Sequence, residues 1–316
     1  MSMNQPLVSI IIVSHNQGDF IAEAIGSAMD QTYSNLEIVV VDDCSGDHTV
    51  DEVEKIASTL ARLKKLFLSQ PNGFCRAFNK GLALSQGRFV IDLAGDDVLM
   101  PERVEQGVSS LLTSGAGVDF CDAYYIDEHS RISGTHYQRD AQNRLREHVP
   151  DGYIFSELLE RYFICTPAMM IDRQVLEALG GYDDSLYYED FDFWVRSSRY
   201  FRYHFTDKLL VKKRVHEKSM SKSQYLPDSR MLETTLEVCR KALGLCQTCG
   251  ELKSLGVRLR YELRQAIISN NYPVARELHK LMGKVPGGSL ESRIWAWLIS
   301  KDWDFSFLTH FMRKAR

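Results

Sequence analysis

The stretch VSIIIVSHNQGDFIAEAIGSAMDQTYSNLEIVVVDDCSGD, Val8 to Asp47, decides the fold. Leu7 to Val13 is an unbroken apolar, β-branched run, the pattern of a strand buried on both faces as in the middle of a parallel sheet. After the break at NQGD, Phe20, Ile21, Ala24, Ile25, Ala28 and Met29 recur at helical spacing, with Asp19 the expected N-cap. A second apolar run, LEIVVV at 36–41, reads as another strand. Working outward, DDCSGDHT is a loop, and Val50, Val53, Ala57 and Leu60 mark a second amphipathic helix with Asp51 and Glu52 in its first turn. KKLFLS at 64–69 is a third strand. This β-α-β-α-β alternation predicts a Rossmann-like α/β domain, a mostly parallel sheet with helices on both faces, whose ligands bind beyond the carboxyl ends of the strands.

Polar residues fall where that rule wants them: Ser14-His15-Asn16, Asp42-Asp43, Asn72-Gly73 and, after RFVIDLA, Asp96-Asp97. The last pair is two adjacent carboxylates, which repel each other unless something compensates. One reading is a solvated turn ahead of a helix begun at Pro101. The other is a divalent cation with a ligand diphosphate, because carboxylate oxygens suit Mg²⁺ or Mn²⁺. The first loop, SHNQGD, holds one glycine. That excludes the glycine-rich turn of a dinucleotide dehydrogenase and the glycine-rich, basic loop of a sugar-phosphate nucleotidyltransferase. A diphosphate held by so acidic a site needs a cation as bridge.

At 316 residues the chain suffices for one sizeable domain and an appendage. Its net charge of −4 argues against a nucleic-acid partner and hides an asymmetry. From Tyr225 onward 15 Lys/Arg against 9 Asp/Glu give +6, leaving −10 for residues 1–224. Seven cysteines without framework spacing, and no apolar secretory segment before them, point to a reduced, cytoplasmic setting. Cys246 and Cys249 form a lone C-x-x-C on a segment that reads as helix, with no second pair to complete a zinc site. No run reaches the roughly 20 apolar residues that cross a bilayer.

Farther along, VDFCDAYYI reads as a strand, 127–152 as a polar loop or lid, PAMMI as another strand, and a helix begins near Glu189. From Tyr225 only helical patterns occur, which sets an α/β domain at 1–224 and a helical domain at 225–316. The last segment, 293–316, concentrates Trp295, Trp297, Trp303, Phe305, Phe307, Leu308 and Phe311 among Arg293, Lys301, Arg313, Lys314 and Arg316. Packing onto the rest of the chain is the favoured expectation for these aromatics. Asp302 and Asp304 weaken the competing one, a weak, salt-sensitive contact with an anionic membrane surface.

The Val8–Asp47 stretch, NGFCRAFNKGLALSQGRFVIDLAGDDVLMP and LGGYDDSLYYEDFDFWVR together resemble an inverting family-2 glycosyltransferase of the GT-A fold, over roughly residues 6–222. The resemblance implies transfer of a sugar from a nucleotide diphosphate donor, UDP-linked by preference, to a carbohydrate or glycolipid hydroxyl in bacterial cell-surface synthesis, with Mn²⁺ or Mg²⁺ as cofactor. It implies that His15 packs on the nucleobase, Asp43 accepts the N3–H of uracil, Arg76 lies near the base and phosphates, Asp96 faces the ribose and Asp97 ligates the metal. Asp190 of Glu189-Asp190 is then the base that takes the acceptor proton. His216, in KKRVHEKSMS, is a second metal ligand or a donor to phosphate, and Lys213 or Arg214 neutralises phosphate, only one of them facing the site. Ala94 stands where many members have an aspartate, which bears on ribose or sugar contacts. Two other classes compete: a nucleotide- or carbohydrate-binding module without activity, which the presence of both Asp97 and Asp190 opposes, and an assembly subunit acting through its helical tail.

Overall fold

Val8–Ser14 forms β1, and all seven of its residues are buried, as an apolar run with no polar face requires of a central strand. The computed structural model describes residues 5–60, 63–217, 219–220, 224–227, 229–287, 289–301 and 303. After β1 come α1 (Ile21–Met29), β2 (Leu36–Asp42), α2 (Thr49–Ala57), β3 (Leu63–Phe67), α3 (Phe74–Leu84) and β4 (Phe89–Ala94), in the expected alternation. Next are β5 (Val98–Leu99), α4 (Arg103–Ser114), β6 (Val118–Ile126), β7 (Ile132–Thr135) and α5 (Phe155–Glu160). A 3-10 turn at Thr166–Ala168 leads into β8 (Met169–Asp172), followed by α6 (Arg173–Leu179), α7 (Asp190–Ser198) and β9 (Tyr203–Arg214).

The strands form one sheet in the order β3-β2-β1-β4-β8-β6-β9-β5, with β7 added beside β6. Pairing is parallel from β3 through β4 and between β6 and β9, and antiparallel wherever β5, β7 or β8 takes part. Ile21, Ile25 and Ala28 of α1 pack with Ile10 and Ile12 on one face of the sheet. On the other face α3 lies so close that a Cβ on Gly81 would stand 2.6 Å from Ile11 Cγ2 and 3.0 Å from Val41 Cγ2.

The chain divides into two compact units, one made of Met1–Tyr153, Phe163–Glu189 and Tyr200–His216, the other of Ile154–Tyr162, Asp190–Arg199 and Glu217–Arg316. The first contains the whole sheet. The second contains α5, α7, α8 (Arg230–Leu245), α9 (Cys249–Ile268), α10 (Tyr272–Met282) and α11 (Ser289–Lys301). Its helices start on side-chain caps where the sequence offers them: Ser229 for α8, a Thr248–Glu251 capping box for α9, and Asn271 for α10. Leu232, Leu236, Leu255, Leu259 and Leu278 are buried, giving this unit its own core.

Three sequence expectations need correction. Asp19 does not cap α1: the N-cap is Phe20, without a side-chain bond, and Asp19 points outward to His48 at 3.5 Å. The amides at that helix entry are already taken, Gly18 N by Asp47 and Ile21 N by the Gln17 carbonyl. The 127–152 segment is not simply a loop, since 132–135 pairs with β6 as β7 and Arg139, its side chain 7% exposed, donates to Asp122 at 2.6 Å and Asp207 at 2.7 Å. Asp122 is fully buried and needs that partner, which ties the segment down. The C-x-x-C lies at a turn, Cys246 ending α8 and Cys249 beginning α9, and both are free thiols.

No helix among the described residues is long and apolar enough to cross a membrane. In α11 Ile299 is buried, whereas Ile294 and Trp297, with Trp303 beyond the helix, are about half exposed. Asp302 and residues 304–316, including Phe305, Phe307, Leu308, Phe311, Arg313, Lys314 and Arg316, lie outside the described residues.

Candidate active site

Strand order reverses at β1, which has β2 on one side and β4 on the other, and such a reversal opens a crevice beyond the carboxyl ends of the strands. Loops after β1, β2 and β4 meet there. Asn16, with φ 55°, and Cys44, with φ 62°, take the left-handed backbone that these tight exits require, a costly choice for cysteine. Asn16 N donates to Ser45 Oγ at 2.8 Å and Gly46 N donates back to Asn16 Oδ1 at 2.8 Å, latching the first loop to the second.

That latch fixes the His15 ring. Asn16 Oδ1 is the acceptor for Gly46, so its amide nitrogen faces His15 Nε2 at 3.0 Å and donates to it. His15 Nδ1 therefore carries the proton and donates to the Asp43 carbonyl at 2.8 Å. The exposed imidazole is an oriented plate rather than a mobile surface side chain. Asp43 is buried and accepts from Asn72 N at 2.7 Å and Gly73 N at 2.8 Å, one amide per oxygen. Each oxygen keeps a second lone pair for a ligand N–H. Gly73, at φ 84° and ψ 157°, is the N-cap of α3, and its conformation turns the amide toward Asp43.

Asp96 and Asp97 follow β4. Asp97 is 4% exposed, and its Oδ1 accepts from Arg214 N at 2.8 Å. Burial, and after it the Asp96 carboxylate alongside, push the Asp97 carboxyl well above the usual carboxylate range, with Lys213 and Arg214 opposing the shift. His216 Nε2 lies 3.1 Å from Asp96 Oδ2, and its ring packs 5.4 Å from that of Phe20. A Cβ on Gly95 would come within 2.6 Å of Gln17 Oε1 and 2.9 Å of Ser14 Oγ. Both of those oxygens are buried without a hydrogen-bond partner among the described residues.

A buried carboxylate crowded by a second one, with an imidazole nitrogen at hand, is a donor set that fits a hard divalent cation. Among the described residues no group of three or more His, Cys, Asp or Glu side chains is placed to hold a metal ion by itself. The fit is therefore to an ion that takes its remaining ligands from substrate oxygens and water, as Mg²⁺ and Mn²⁺ do in phosphate sites.

Arg76 sits in the first turn of α3, about half exposed, and pairs with Asp184 at 3.9 Å rather than with the other candidates. Arg214 differs from expectation more sharply. Its buried guanidinium donates to the carbonyls of Asp96 at 2.9 Å and Asp127 at 2.7 Å and pairs with Glu23 at 2.6 Å, so it braces the acidic loop and is not available to phosphate. Two contributors had no sequence signal: Arg214 as a brace, and Tyr182, whose hydroxyl donates to the buried Asp92 of β4 at 2.8 Å. In the helical unit Asp190 is the first residue of α7, and Phe191 N donates to its Oδ1 at 2.6 Å.

Residues 9–180 match the model of glycosyl transferase family 2, more than half of the chain. The chain belongs to that family. An uncharacterized glycosyltransferase of Rickettsia prowazekii is 34% identical over 217 residues, 67% of this chain and 64% of the relative. TuaG of Bacillus subtilis, described as a putative teichuronic acid biosynthesis glycosyltransferase, is 28% identical over 54% of this chain and 64% of its own. These matches thus take in a little under two thirds of the relatives' length. Among solved structures, S. aureus TarS 1–349 in complex with UDP-GlcNAc superposes with a TM-score of 0.72 at 19% identity, covering 93% of this chain and 88% of that one. This likeness shows that the chain has the GT-A fold with a helical C-terminal region. Asp190 and His216 both lie beyond the family match.

Proposed function

We propose that this glycosyltransferase is metal-dependent and inverting, and moves a sugar from a UDP-linked donor to an acceptor hydroxyl in the synthesis of a bacterial cell-surface polysaccharide or glycolipid. The observation that carries the proposal is Asp97, buried beside Asp96, which in turn lies against His216, an excess of negative charge that a cation would relieve while also binding an anionic diphosphate. The UDP-GlcNAc bound to TarS and the teichuronic acid role in TuaG's description support the donor and the pathway.

In this reading Asp97 and His216 hold Mn²⁺ or Mg²⁺, and Asp96 takes the ribose side. When bound, the cation supplies positive charge that neutralises the diphosphate as it leaves. His15 stacks on the uracil, Asp43 accepts its N3–H, and Arg76 stands at the rim near base and phosphates. Asp190 takes the proton of the acceptor hydroxyl as its oxygen attacks the anomeric carbon. The bond from that carbon to the phosphate oxygen breaks, and its electron pair departs with UDP, inverting the centre.

Asp190→Asn is expected to leave UDP binding near normal and lower turnover by ~10² or more, the loss typical of a positioned base. Asp97→Ala should abolish metal-dependent binding of UDP in calorimetry, with His216→Ala weakening it less. Full turnover by Asp190→Asn would sink the base assignment, and tight UDP binding by the unaltered protein without metal would sink the metal site.

A further inference from the structure

Helix α7, which begins at Asp190, is nine residues long, too short to hold its own place in water. Within the helical unit it is tied to α8 and α9 at three points. At its head the Arg258 guanidinium lies 5.2 Å from the ring of Phe191 and 3.9 Å from that of Tyr162, which meets Phe191 edge-on at 4.9 Å. Arg258 is 2% exposed and donates to the Leu159 carbonyl and to Glu262, both at 3.1 Å, so its plane is fixed. In the first turn Asp192, 1% exposed, pairs with Arg196 of its own helix and with Lys241 Nζ of α8 at 2.7 Å. Just past the end, Arg199 donates to Glu251 at 2.5 Å, the same Glu251 that completes the capping box of α9.

We propose that Lys241 and Arg258 are positioning residues for the transfer reaction, acting on Asp190 through α7. Both belong to helices that lie after the family-2 match ends at residue 180, so the helical region sets the aim of the base. The inference rests on the reading of Asp190 as base. Burial of Asp192 makes the Lys241 bond worth more than a surface ion pair, because losing one partner leaves part of a buried charge uncompensated. Misplacement of a base by a fraction of an ångström is enough to slow proton transfer without touching donor affinity.

The test is a double-mutant cycle on the full chain, with UDP release from UDP-GlcNAc and Mn²⁺ as one readout and hydrogen exchange of the 190–198 amides as the other. Lys241→Met is expected to lower kcat about tenfold while KM and UDP affinity stay within about twofold. Lys241→Arg should restore the rate, and Arg258→Lys should behave as Lys241→Met does. In an Asp190→Asn background Lys241→Met should cost nothing further, because the group it positions is gone. Exchange across 190–198 should rise in Lys241→Met while that of β1 does not change, a readout that needs no turnover. Unchanged exchange in Lys241→Met, or the same loss of rate with and without Asp190, overturns the proposal. Full activity of Asp190→Asn fails the base assignment itself, whereas an inactive Asp190→Asn beside an unimpaired Lys241→Met fails only the positioning role.

Discussion

At the scale of single residues the buried charges divide between the site and the scaffold. Arg103 and Asp119 are both fully buried, 2.9 Å apart, with Arg103 also donating to the Ala168 carbonyl and Asp119 accepting from Thr206 at 2.6 Å. Removing one member strands the other in a medium that solvates it poorly. Arg103→Met is therefore expected to cost ~3–5 kcal/mol in urea unfolding, and Arg103→Met with Asp119→Leu to recover most of it. The placement of Asp43, Asp96 and Asp97 just beyond β2 and β4 was legible from sequence, because apolar runs mark where those strands end. Arg103, Asp119 and Arg214 were not, since a charged residue in a helix or strand pattern reads as solvated until its partner, 16 or 191 positions away, is seen. Arg76 shows the same limit: the resemblance places it near base and phosphates, and its pairing with Asp184 could not be read.

At the scale of elements, β1 to β4 and the two helices between β1 and β3 could be read directly, because a continuous apolar run and a 3.6-residue stripe are distinct signals. The two-residue β5 and the four-residue β7 were missed, both being edge pairings specified by their neighbours β9 and β6 rather than by their own composition. Gly81 shows how an element's sequence serves its neighbours. Alanine in mid-helix gains up to ~1 kcal/mol over glycine in propensity. Here the added Cβ would meet Ile11 and Val41, and overpacking of this kind costs ~1–3 kcal/mol. The clash should win, so Gly81→Ala is expected to lower the urea midpoint with an unchanged m-value. Since the amide of Gly73 at the head of the same helix holds Asp43, the variant should also bind UDP more weakly, which titration calorimetry measures.

At the scale of the whole molecule, the end of the chain offers a further test. Ile299 is buried and the Tyr272 hydroxyl donates to the Trp303 carbonyl, so α11 belongs to the helical core while Ile294 and Trp297 remain half exposed. Deleting residues 289–316 is expected to lower the thermal midpoint of the helical unit, measured by calorimetry; an unchanged midpoint would show that α11 adds nothing to it. The division of the chain into units has a wider consequence. The polypeptide passes from one to the other after Tyr153, Tyr162, Glu189, Arg199 and His216, and α7, which starts at Asp190, lies inside one of these excursions. Exchange of parts between related enzymes is thereby constrained: a single splice near residue 224 would give α7 one parent and the Lys241 and Arg258 that hold it another. Recombination can shuffle this helical region only together with the two short stretches embedded upstream, so those three pieces should be inherited, and engineered, as one block.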